Sequence, residues 1–100
     1  MRRFYCDVLG CVEIPKPAPL QGRGGFWVQA GETAFHFGID RGFHPATKAH
    51  PAFMVSDIHA LACDLANAGT GVRWDTALRS VTRFFTFDPV GNRIEIIASS

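Results

Sequence analysis

His36, His50 and Glu95 are the residues whose types and spacing could do metal chemistry in this 100-residue chain. Two imidazoles and a carboxylate suit a borderline divalent ion. Nitrogen donors favour Zn, Ni or Fe(II), the carboxylate adds charge, and open positions leave room for water and substrate. Two of the three occupy matching places in a rough internal repeat. Phe4-Tyr5-Cys6-Asp7-Val8-Leu9-Gly10 parallels the segment from Leu61 to Gly69, and Phe35-His36-Phe37 parallels Ile94-Glu95-Ile96. Cys6 and Cys63 are 57 positions apart, and His36 and Glu95 are 59 apart. A metal-capable residue in the same place in each copy suggests a pseudo-symmetric site between the copies. Taken alone, a histidine on a strand is more often a hydrogen-bonded structural residue. Glu95, set between isoleucines, could equally face solvent or pair with Arg93.

The elements that must position these side chains follow from hydrophobic periodicity and turn residues. Residues 2–9 read as a short helix or a helix end, which Gly10 is placed to stop. Cys11 to Ile14 is a strand candidate, halted by Pro15, Pro17 and Pro19 because proline offers no amide donor. The stretch Gly22-Arg23-Gly24-Gly25 reads as a mobile loop. Phe26–Ala30 and Thr33–Ile39 form a hairpin across Gly31-Glu32. After a polar link from Asp40 to Lys48, the second half opens with a strand at Pro51–Val55. Ser56-Asp57 then cap a helix from Ile58 to Ala68, with Ile58, Leu61, Ala62 and Leu65 as its buried stripe. Val72–Trp74 is a strand, and Thr82–Phe87 pairs with Arg93–Ala98 in a second hairpin. The second half is thus strand, helix, strand, strand, strand. The first half shows the same order without its leading strand. His50 lies 13 residues before Cys63, and the same distance before Cys6 falls ahead of Met1, so the repeat implies that the first half begins late.

Strand alternation decides which residues could line a site. If Ala30 pairs with Thr33, Trp27 falls opposite His36 and Gln29 opposite Ala34, which puts an aromatic plate beside the imidazole. If Asp88 pairs with Arg93, Glu95 lies opposite Thr86 with Phe84 on the same face, and Phe85, Phe87, Ile94 and Ile96 pack under the helix. Trp27, Gln29, Phe84, Thr86 and Arg93 are therefore the candidate substrate contacts. Arg93 could hold a carboxylate or phosphate through its guanidinium. Large aromatics are more often ordinary packing, and His44 and His59 sit where solvent exposure is expected.

Composition narrows the partners. Ten basic and nine acidic residues with no run of either sign give no electrostatic footprint for nucleic acid or an anionic membrane. No apolar run approaches the ~20 residues of a membrane span, and no secretory leader is evident, so a cytoplasmic protein is expected. Three cysteines without a C-x-x-C pair indicate neither a disulfide framework nor a zinc knuckle. Nucleotide-binding and serine-hydrolase signatures are absent from the sequence.

The segment Phe85-Thr86-Phe87-Asp88-Pro89-Val90-Gly91-Asn92-Arg93-Ile94-Glu95-Ile96 resembles the D-P-x-G-x-x-I/L-E-L/I ending of the vicinal oxygen chelate superfamily. That superfamily includes glyoxalase I, extradiol dioxygenases, fosfomycin-modifying enzymes and bleomycin-binding proteins. The opening Arg3-Phe4-Tyr5-Cys6-Asp7-Val8-Leu9-Gly10 is similar to its F-Y-x-x-x-L-G helix end. The resemblance implies an α+β fold of two βαβββ modules in a single domain. Residues 1–40 would form the first module, without its leading strand, and residues 48–100 the second. It implies a divalent ion (Zn, Ni, Mn or Fe) held by His36 on the fourth strand, His50 at the fifth and Glu95 on the eighth, with no counterpart of the first-strand ligand. It also implies a homodimer and a small-molecule ligand. The function expected is a metal-dependent glyoxalase-like lyase or isomerase acting on vicinal oxygens, with Glu95 and His36 as catalytic groups. An extradiol dioxygenase is less favoured. The alternative is a metal-free drug-sequestering protein of the bleomycin-resistance type.

Overall fold

The computed structural model describes residues 1–99. The chain divides into two compact units, one spanning Arg2–His44 and the other beginning at Pro45. The boundary falls inside the polar link read from the sequence. No helix among the described residues is long and apolar enough to cross a membrane.

The first unit opens with a π-type helical segment, Arg3–Val8, whose following residue Leu9 donates its N–H to the Phe4 carbonyl five residues back. Gly10, at φ +81°, stops it. Next come β1 (Val12–Ile14), a 3₁₀ turn at Ala18–Arg23, β2 (Phe26–Ala30) and β3 (Thr33–Phe37). These strands form an antiparallel sheet in the order β1-β2-β3. No strand precedes the opening helix among the described residues. Gly31, at φ +58°, supplies the positive φ that a two-residue hairpin loop needs at its first position. The pairing is the expected one, with Ala30 opposite Thr33, Trp27 opposite His36 and Gln29 opposite Ala34. One face of the hairpin carries Phe26, Val28, Phe35 and Phe37 into a cluster with Phe4 and Tyr5, whose ring contacts run from 4.4 to 6.0 Å. The other face is left to Trp27, Gln29 and His36.

The second unit runs β4 (Ala52–Val55), α1 (Ile58–Asn67), β5 (Arg73–Asp75), β6 (Arg83–Phe87) and β7 (Arg93–Ala98). Its sheet has the order β4-β7-β6-β5, with β4 parallel to β7 and the other pairs antiparallel. Asp57 caps α1 by accepting the Ala60 N–H at 3.1 Å, which satisfies one orphan donor of the first turn. At the other end Gly69 adopts φ +80°, and Thr70 and Gly69 donate back to the Leu65 and Ala66 carbonyls. This arrangement closes the last turn in the usual glycine-terminated manner. Ile58 and Leu65 from α1 are buried together with Phe84, Thr86, Ile94 and Ile96 from the sheet.

That core corrects the expected register of the second hairpin. Phe87, not Asp88, stands opposite Arg93, so Phe85 faces Glu95 and Thr86 faces Ile94. The cause is Asp88. Its Oδ1 accepts the N–H groups of Val90 and Asn92, and Oδ2 accepts the Asn92 side-chain amide. Its own N–H donates to the Asn92 carbonyl. Asp88 and Asn92 thereby close the turn against each other, one residue short of the expected closure. A one-residue slip moves every side chain to the other face. Phe84 and Thr86, expected beside Glu95, are fully buried on the helix side, where Thr86 donates its hydroxyl to the Gly71 carbonyl. Phe85 and Phe87, expected under the helix, share the face of Glu95.

Candidate functional site

The face of the second sheet turned away from the core carries Arg73 and Asp75 from β5, Arg83, Phe85 and Phe87 from β6, and Arg93 and Glu95 from β7. His50 precedes β4, whose first residue Ala52 pairs with Glu95. The Glu95 amide donates to the Pro51 carbonyl at 3.0 Å, which brings the segment carrying His50 alongside the carboxylate. Nε2 of His50 then lies 2.9 Å from Oε1 of Glu95. Oε2 accepts from the Arg83 guanidinium at 3.0 Å, and Arg83 bonds Asp75 through its other terminal nitrogen. The His50 ring meets Phe85 edge-on at 5.4 Å.

The tautomer of His50 follows from its second bond. Nδ1 lies 2.6 Å from the Lys48 carbonyl. A carbonyl only accepts, so Nδ1 carries the hydrogen. In a neutral ring Nε2 would then present a lone pair to a carboxylate oxygen, an arrangement that needs a proton or a cation between them. Two donors bound at right angles to one ion, each about 2.1 Å from it, lie roughly 3 Å apart, which the His50–Glu95 separation matches. The backbone carbonyl on Nδ1 is the kind of outer partner that orients a metal-binding imidazole. This donor pair therefore fits two positions of a divalent ion. Among the described residues no group of three or more His, Cys, Asp or Glu side chains is arranged to hold one.

Burial works to raise the pKa of Glu95, but the hydrogen bonds from His50 and Arg83 outweigh it and hold the carboxyl below its ordinary value. Asp75 is likewise lowered, first by the Ala77 amide and then, against some desolvation, by Arg83. Both carboxyls are more acidic folded than unfolded. Their stabilisation is fully present above the ordinary carboxylate range near ~4 and is lost as pH falls through the depressed values. Metal-free protein is accordingly expected to keep its urea midpoint from neutrality down to about pH 4 and to lose it progressively below. Glu95→Gln should make that acid decline shallower. An identical decline in wild type and variant would show that the pair does not carry it.

Of the residues singled out from the sequence, His50, Glu95 and Arg93 share one region of the second unit. Phe84 and Thr86 lie on its opposite face. Trp27, His36 and Gln29 belong to the first unit. There His36 is exposed and stacks on Trp27 with ring centres 4.5 Å apart, and Gln29 donates to the Gly31 carbonyl. Arg83 and Phe85 were not anticipated as site residues. The signal was available in the charged head of the apolar run Arg83-Phe84-Phe85-Thr86-Phe87, which needs an acidic partner on one face of the sheet.

An α+β chain with two sheets, one in a unit of strand, helix and three strands, with an imidazole–carboxylate pair on its sheet face, is of the vicinal oxygen chelate class. Comparison with known proteins agrees. A protein from Bacillus anthracis described as of the glyoxalase family shares 42% identity at a TM-score of 0.93, over 99% of this chain and 81% of that one. A glyoxalase/dioxygenase from Nostoc punctiforme is similar in fold at 20% identity and a TM-score of 0.81, over 99% and 81%. The fosfomycin resistance protein FosX from Listeria monocytogenes is similar in fold at 11% identity and a TM-score of 0.79, over 98% and 80%. No protein-family model matches the sequence, nor does any curated protein compared with it. The chain belongs to the glyoxalase family, within the vicinal oxygen chelate superfamily.

Proposed function

We propose that the protein is a glyoxalase-like enzyme of the lyase or isomerase type, acting on a small organic substrate with vicinal oxygens. The observation that supports this most is the facing pair of His50 Nε2 and Glu95 Oε1 at 2.9 Å. A divalent ion held by those two atoms would polarise the substrate's adjacent oxygens as a Lewis acid. Each residue around the pair has a defined task. The Lys48 carbonyl fixes the hydrogen on Nδ1 and leaves Nε2 as the donor. Arg83 occupies Oε2, so Glu95 offers a single oxygen in a set direction. The Arg83 guanidinium on Oε2 favours the ionised form of Glu95, which suits it to holding a cation better than to lifting a proton. A recess of about 460 Å³ at the β5–β6 edge is lined by Trp74, Asp75, Leu78, Arg79, Val81 and Arg83, and Arg83, bonded to both Asp75 and Glu95, joins it to the carboxylate.

Elemental analysis of untagged protein purified without chelator tests the proposal. Near-stoichiometric metal is expected in the wild type, with loss in both His50→Ala and Glu95→Ala, because either donor without the other does not retain an ion. Metal absent from wild type even after incubation with Zn, Ni, Mn and Fe(II) would sink the reading.

A further inference from the structure

Three guanidinium groups gather on one ring of the second sheet. Arg93 lies over Phe85 at 4.1 Å from the ring centre, Arg83 at 5.3 Å and Arg73 at 6.0 Å. His50 touches the same ring at its edge. Such a gathering of like charge is costly unless each charge is answered, and the answers are unequal. Arg83 is held by Asp75 and Glu95, and Arg73 acts on Asp75 through space. Arg93 has no carboxylate partner among the described residues, and its Nε, like that of Arg83, is sealed from solvent with no hydrogen-bond acceptor. A buried donor left without an acceptor is uncommon enough in folded proteins to call for an explanation.

The setting of Arg93 is that of a group kept for a ligand. Contact with the Phe85 ring restrains the guanidinium, and its terminal nitrogens, which no carboxylate of the described residues occupies, supply the donors that a ligand carboxylate needs. β7 places it two residues before Glu95 on the same face, roughly 6.6 Å along the strand. Arg93 and His50 both pack on Phe85, so the two lie within a small ligand's length of each other. The strands contribute three arginines and two carboxylates to this face. The surplus is positive before His50 or any ion is counted, and the complementary ligand is an anion.

Resting on the reading of His50 and Glu95 as the oxygen-binding pair, we infer that the substrate carries a carboxylate a few bonds from its vicinal oxygens, and that Arg93 binds it. The same surplus works against a cationic drug as the natural ligand of this face.

Two probes isolate the contact. Glycolate and hydroxymalonate present the same chelating hydroxyl and carboxylate, and hydroxymalonate adds one further carboxylate. Calorimetric titration of both into metal-loaded wild type, Arg93→Gln and Arg93→Lys reads the ratio of their affinities, with metal content measured in each sample. Wild type is expected to prefer hydroxymalonate by about tenfold or more, Arg93→Gln to erase most of that preference, and Arg93→Lys to keep part of it as a point charge. An unchanged ratio in Arg93→Gln, or no preference in wild type, overturns the inference. The same titrations on metal-free protein separate it from the proposed function. A preference that depends on Arg93 in protein that takes up no metal would leave the carboxylate site standing and remove the metal reading.

Discussion

Phe84→Ala is expected to lower the stability of the second unit by about 3–5 kcal/mol, whereas Phe87→Ala three residues along the same strand should cost no more than about 0.5 kcal/mol. Phe84 is fully buried, meets Trp74 edge-on at 5.1 Å and shares its face with Ile94, Ile96 and the α1 residue Leu65. Truncation removes the apolar transfer energy of the ring and leaves a cavity that a close-packed sheet and helix cannot refill. Phe87 is 48% exposed on the opposite face, so its truncation returns little apolar surface to water. With total stabilities of small domains near 5–15 kcal/mol, the first change would bring the chain close to unfolding. Urea denaturation of the two variants decides the matter. Comparable losses, or a larger loss for Phe87→Ala, would put the hairpin in the register expected from the sequence instead.

That register marks where the sequence stopped being legible. Strands and helix were readable because each is bounded by residues with a physical function: Gly31 at the first turn, Asp57 at the helix cap, Gly69 at its end. The first hairpin was readable in full, since a two-residue loop leaves one register. The second loop is longer, and its closure depends on which pair ends the ladder. Asp88 was read as a pairing residue, but its carboxylate instead binds three donors inside the turn. This one-residue difference hid part of the site. In the expected register Arg83 lies on the helix side, away from Glu95, and an arginine there has no evident partner. In the observed one it stands diagonal to Glu95 and bonds it. The internal repeat marked Glu95, but its pairing with His50 was recoverable only through the family resemblance. Nothing in their 45-residue separation reveals that β4 runs parallel to β7 and brings them together.

Gly25→Ala should destabilise the first unit by about 3 kcal/mol or more, among the larger effects a single exposed-loop change can have. The stretch Gly22-Arg23-Gly24-Gly25 reads as flexible on composition, yet its glycines differ in kind. Gly25 has φ +75°, and a Cβ there would lie 2.0 Å from the Phe37 carbonyl oxygen. An L side chain thus meets two penalties, the left-handed backbone and a collision with backbone that cannot rotate away. Relief requires β2 and β3 to part where Phe26 pairs with Phe37, at the end of the hairpin that carries Trp27 and His36. Gly22 has an ordinary φ and open space around it, so Gly22→Ala should be neutral or stabilise slightly by restricting the unfolded chain. Amide exchange at Val28 and Phe35, paired mid-hairpin, reads the difference, with protection lost in Gly25→Ala and kept in Gly22→Ala. Equal protection in the two would mean that the glycine run is a flexible link. Loss confined to Gly25→Ala would mean that this glycine is present for close approach, and that the first unit's Trp27–His36 stack depends on a contact with no side chain in it.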